Sequence, residues 1–172
     1  MVNSTEVVNL EYYVNKSFEG KYFMGHTPIL TLSGGANAWG GLSNPKHSGV
    51  NLYINVFTVS NYSSTPFRAE LWLNFKPLKG HISSSVSPAN LAIKPHPEPE
   101  AALIYNQNVG GRPDNRVSIF SRIAGINSTT VADYSGEIIL PPGGTFISYL
   151  YSPGSKCIKT ELAFGWWEER ID

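Results

Sequence analysis

Residues 67–75 read FRAELWLNF, and their alternation decides the fold. Phe67, Ala69, Leu71, Leu73 and Phe75 fall on one side of an extended chain, while Arg68, Glu70, Trp72 and Asn74 fall on the other. Successive side chains of a pleated strand point to opposite faces, so a period of two predicts a strand with one face in a core. Five apolar side chains on that face also fix the register, because a slip of one residue would put them all in water.

The neighbouring stretches carry the same signal. Residues 50–60 (VNLYINVFTVS) place Val50, Leu52, Ile54 and Val56 on one face and Tyr53, Phe57 and Val59 on the other. Apolar residues on both faces predict a central strand covered on both sides. The short link to residues 67–75 predicts an antiparallel hairpin. Residues 145–151 (TFISYLY) and 156–167 (KCIKTELAFGWW) are two more strands, joined by the turn SPGS into a second expected hairpin. In the second of these, Ile158, Thr160, Leu162, Phe164 and Trp166 share a face. Shorter strands are read at 27–33, 101–107, 116–122, 129–134 and 137–140, separated by clusters of Gly, Pro and Asn.

Residues 34–49, with Gly34, Gly35, Gly40, Gly41 and Pro45, read as a Gly-rich loop. Residues 76–100 are rich in Pro and Ser and read as a long extended crossover. Residues 1–26 sustain neither period. They read as an N-terminal arm that packs on its own domain or reaches to a neighbour. The expected architecture is all-β: an antiparallel two-sheet sandwich of jelly-roll or Greek-key type over residues 27–172, preceded by the arm.

A chain of 172 residues suffices for one domain that buries about 70% of the surface its unfolded form exposes. Its formal net charge is zero and it has no basic block, so no nucleic-acid partner is expected. No apolar run approaches the roughly 20 residues of a membrane span. The first residues lack a basic region followed by an apolar one, so the expectation is synthesis in the cytoplasm without a signal peptide. The zero net charge also removes the long-range repulsion that keeps molecules apart and permits self-association, and a charged fraction of 15%, against about 25% in an ordinary globular chain, leaves a surface of neutral polar groups.

The sequence offers no catalytic constellation. His26, His47, His81 and His96 are not at metal-ligand spacing, and Cys157 has no Cys or His near it. As the only cysteine, Cys157 excludes an intramolecular disulfide. It is expected as a small buried hydrophobe, with an intermolecular disulfide as the alternative. The stretch GLSNP at 41–45 lacks the second glycine of a nucleophile elbow and has no helix after it. No carboxylate pair is singled out by spacing. No cofactor and no enzymatic activity are expected.

The aromatics carry more information, at 12% of the chain. Trp72 sits on the polar face of its strand. Trp39 lies in the Gly-rich stretch. Trp166 and Trp167 are adjacent, so one of the two should leave the core. Together with Tyr12, Tyr13 and Phe18 of the arm, these four tryptophans are the candidates for interface contacts or for stacking on a ligand such as a glycan.

Several segments together carry a family resemblance: GHTPIL at 25–30, NAWGG at 37–41, SGVNLYINVF at 48–57, STP at 64–66, PPGG at 141–144 and AFGWWE at 163–168. They resemble an uncharacterised bacterial family, domain of unknown function 6143, found mainly in spore-forming Gram-positive bacteria. The resemblance spans roughly residues 22 to 169 and transfers no active site. It implies a spore-surface or appendage role by analogy. The expected function is a self-assembling structural subunit whose partner is itself, in an oligomer or fibre. The alternative is a carbohydrate-binding or adhesive module.

Overall fold

The computed structural model describes residues 9–75, 79–111 and 117–171. In chain order the elements are α1 (Tyr12–Phe18), β1 (Tyr22–His26), β2 (Leu30–Leu32), β3 (Asn37–Ser43), β4 (Val50–Asn61), β5 (Phe67–Leu73), β6 (His81–Ile82), β7 (Val86–Pro88), β8 (Ala102–Val109), β9 (Val117–Ala124), β10 (Ser128–Leu140), β11 (Thr145–Tyr151) and β12 (Ile158–Arg170). They form an antiparallel two-sheet sandwich. Sheet one runs β10-β4-β12-β1-β7, with β2 on the same flank of β12 as β1. Sheet two runs β6-β8-β3-β11-β5-β9.

The inward faces are those the alternation marks, except at Phe75, which lies beyond the end of β5, after Asn74 turns the chain at φ 55°, and packs on the outer face of sheet two. Phe67, Ala69 and Leu71 of β5, Phe146 and Leu150 of β11, and Ile158, Leu162, Phe164 and Trp166 of β12 meet in one core. Phe146 of sheet two reaches across the core to three rings of sheet one, contacting Phe57, Phe164 and Tyr134 edge-on. Edge-to-face contact is a preferred geometry for aromatic pairs.

The expected hairpins are absent. β4 lies in sheet one and β5 in sheet two, and the same holds for β12 and β11. Each connection crosses from layer to layer. At the β4 end the crossing is held by Asn61, which is buried and donates from Nδ2 to the carbonyls of Thr65, Ala124 and Gly125.

The two apolar faces of residues 50–60 have a different cause from the one the pattern suggests. The pairing of β4 with β12 shifts register between Gly165 and Trp166, which oppose Val56 and Ile54. Asn55 is the extra residue of a bulge, and a bulge reverses the facing of every residue beyond it. Leu52 and Ile54 before it, and Phe57 and Val59 after it, all reach the same core.

The stretch read as a Gly-rich loop contains β3, a central strand of sheet two between β8 and β11. Its glycines serve close packing. A side chain on Gly41 would collide with the backbone carbonyl of Phe146, and one on Gly40 would meet Leu162 and Thr27 at 2.9 Å. The described part of the segment read as an arm lies on its own domain: β1 is a strand of sheet one, and α1 packs against β1 and β12.

Candidate association surface

Trp39, Trp72, Trp166 and Trp167 are all buried, Trp72 being the most exposed at 4%. Trp166 faces the core between the sheets. Trp167 faces outward, as adjacency on a strand demands, but it is covered. It stacks on Tyr53 at 5.2 Å, meets Tyr12 edge-on at 5.7 Å, and lies under Gly136 of the β10 bulge. Trp39 and Trp72 form a second cluster on the outer face of sheet two with Ile147 and Tyr149. Phe75, Ile104, Val109 and Tyr151 pack around it, and Gly80 sits against the Trp39 ring.

Tyr12, Tyr13 and Phe18 lie on α1, a helix of seven residues. So short a helix does not hold itself in water, and contacts with the sheet must hold it. Tyr12 meets Trp167 and Tyr13 meets Tyr22, while Phe18 is exposed. Beneath the helix, Lys16 is buried between the carboxylates of Glu19 and Glu169. Lys21 bridges the same two carboxylates. Burial alone would lower the pKa of the Lys16 ammonium, but its contacts with Glu169, Glu19 and Tyr12 outweigh this and raise it. Hydrogen bonds from Lys21 and Lys16 pull the Glu19 carboxyl down to about 2. Burial would raise Glu169, and the same two lysines bring it below the ordinary range instead.

The two sides of the sandwich differ. On one side the sheets end in β6 and β7, of two and three residues, and β7 carries Pro88. Short edges with proline are poor templates for another strand. On the other side they end in β9 and β10, of eight and thirteen residues. These edges and the turn between them carry exposed aliphatic side chains: Val117, Ile123, Ile126, Val131 and Ile139, with Ile123 at 73%. Sequence reading misses this surface. Apolar residues at 117–139 are visible in the chain, but nothing in the sequence says that their strands are the outermost ones.

The outer face of sheet one holds a trough of about 520 Å³. Its floor is Ala163 and Gly165 of β12, and its walls include Val56 and Thr58 of β4 and Met24 and His26 of β1. Ser84, Ser85 and Ser87 close the β7 side. The trough exists because two successive outward positions of β12 are small, between Glu161 and Trp167. At its rim His26 Nδ1 is 2.8 Å from Glu161 Oε1, and the Tyr62 hydroxyl donates to Glu161 Oε2 at 2.7 Å.

Cys157 is exposed, against the expectation of a buried thiol, because it precedes β12 in the turn from β11. Among the described residues, no three His, Cys, Asp or Glu side chains are grouped so as to hold a metal ion. Among the same residues, no helix is long and apolar enough to cross a membrane.

A family model described as "Family of unknown function (DUF6143)" matches residues 1–172, the whole chain. No curated protein and no solved structure matches.

Proposed function

The chain belongs to the DUF6143 family of unknown function, and from that premise we propose that it is a non-enzymatic structural subunit that associates with copies of itself. The observation that carries the reading is the inequality of the two sides. One side ends in edges too short to recruit a strand. The other ends in the long β9 and β10, which bear exposed aliphatic side chains. Among the described residues no strand pairs with the outer side of β9 or β10, and an unpaired edge of this kind is a template for pairing with another chain, which monomeric proteins blunt. Zero net charge leaves nothing long-range to oppose the approach.

The strand order supports a jelly-roll reading of the sandwich. β1, β12, β4 and β10 form one layer and β3, β11, β5 and β9 the other, with β6 to β8 inserted between β5 and β9. That fold by itself assigns no function. The carbohydrate-binding alternative relies on tryptophans as stacking platforms, and they are buried. A spore or cell surface is the location this reading favours, and immunogold labelling of the producing cells tests it.

Sedimentation velocity and electron microscopy of the purified protein over increasing concentration test the function. Concentration-dependent growth is expected. A strict monomer at high concentration overturns the reading.

A further inference from the structure

Resting on that reading, we propose that the chain meets its copies through β9, which pairs antiparallel with β9 of a second copy about a two-fold axis. Two observations separate β9 from the other long edge. The first is continuity. The ladder of β10 shifts register between Asp133 and Ile138, where Ser135 and Gly136 have φ of 46° and 86°. The Ser135 N–H and hydroxyl both donate to the Asp133 carboxylate there. A bulge of this kind turns an edge away from a further strand. β9 has its one shift near its start, at Ile119, and runs unbroken from Phe120 to Ala124 against β5. It carries no proline and a single charge, Arg122. The second observation is that β9 is exposed on both of its faces. Phe120 lies opposite Leu71, on the face turned to the core, and Ile123 lies opposite Arg68, on the outer face, yet both are exposed. Its paired neighbour β5 exposes only Arg68. A layer laid on a sheet covers one face, whereas a strand added at the edge borders both. What β9 lacks is a neighbouring strand.

A second β9 fits because the strand complements itself. With Ser121 on the two-fold axis, Phe120 of each copy falls opposite Arg122 of the other. Both side chains lie on the core-side face, where Arg122 already stands 4.8 Å from the centre of its own Phe120 ring. The guanidinium of the second copy then meets the ring across the strands, a cation–π contact between cross-strand neighbours. Arg122 on the axis would instead oppose two like charges, which is destabilising. The contact uses the same surface on both molecules, so it is isologous and closes as a pair. Sheet two of each copy continues into sheet two of the other.

The experiment uses the full chain with Cys157→Ser, which removes its exposed thiol. In that background Ser121→Cys sets two introduced thiols against each other on the axis, with Cα atoms about 4.5–5.5 Å apart, within reach of a disulfide. Val131→Cys, exposed on β10, is the control. Ser121 is exposed as well, so both changes leave the core intact. Under mild oxidation Ser121→Cys should form a covalent dimer, seen on non-reducing gels, at least about tenfold faster than Val131→Cys, because pairing raises the effective concentration of its thiols. Ser121→Lys opposes two ammonium groups at the axis and should weaken the dimer about fivefold in sedimentation velocity. Equal cross-linking of the two cysteine variants overturns the proposal, as does a Ser121→Lys protein that associates like the unmodified one. In either case association of the unmodified protein leaves the broader reading of the function standing. If the unmodified protein stays monomeric at high concentration, that reading and the β9 pairing fall together.

Discussion

Glu168 shows how much one side chain can organise. It lies on β12, and its buried carboxylate accepts hydrogen bonds from the backbone N–H groups of Glu100 and Ala101 and from the Trp166 indole, at 2.9 to 3.1 Å. It therefore ties the end of the Pro-rich crossover to the central strand of sheet one. Replacing it by alanine leaves three donors without a partner, at about 1–3 kcal/mol for each buried group left unsatisfied. Glu168→Ala is expected to cost about 3 kcal/mol and to lower Tm by about 6–12 °C, read by thermal unfolding. Gly41→Ala should be as damaging for a steric reason, since the new methyl meets the Phe146 carbonyl on the paired strand β11. Overpacking against backbone has no side chain to yield. Urea unfolding of that variant should show a stability lower by about 2 kcal/mol or more.

At the scale of the element, α1 is held by charge more than by apolar burial. Among its residues only Lys16 is buried. The sign of its pH dependence follows from Glu19 and Glu169, whose folded pKa values lie below the ordinary 4.5. A depressed carboxyl stabilises the docked helix above its unfolded pKa and loses that contribution as pH falls toward the folded one. Docking of α1 is thus expected to be complete at neutral pH and to weaken between about pH 4.5 and 2. Amide hydrogen exchange of residues 12–18 and the fluorescence of Trp167, which Tyr12 covers, report it. Protection that stays constant through that window would contradict this account. The same contacts are partly exposed, so salt should loosen them in the same direction. β9 gives the complementary prediction. Ile123→Lys places a charge on an exposed edge, so it should reduce self-association while leaving Tm within about 2 °C, because surface substitutions away from caps and cores change stability by about 0.5 kcal/mol.

Across the whole molecule, the legible part is what alternation encodes. Residues 67–73, 145–151 and 156–167 contain strands with the expected inward faces because a half-buried strand writes its own period into the chain, whereas Phe75 falls past the end of its strand and packs outside. Which strands are neighbours is not written there. The expected hairpins fail because a short link looks the same whether it turns back within a sheet or crosses to the other layer. Alternation places Trp72 on the outer face, and it lies there; the sequence does not reveal that a second apolar layer on sheet two covers it. β3 is hidden because its glycines, needed for close approach, look like loop residues. The hub of sheet one is β12, which pairs with β4, β1 and β2. Truncation before residue 158 should therefore abolish cooperative unfolding altogether, as circular dichroism on heating would show.

The single extra residue at Asn55 has a consequence for how the chain tolerates change in length. Deleting it would not shorten a loop; it would put the second half of β4 out of phase, turning Phe57 and Val59 toward solvent and Val56 and Thr58 toward the interior. A one-residue loss here should be far more harmful than the same loss in the Ser-rich turns, even though Asn55 itself contributes no apolar contact to the core.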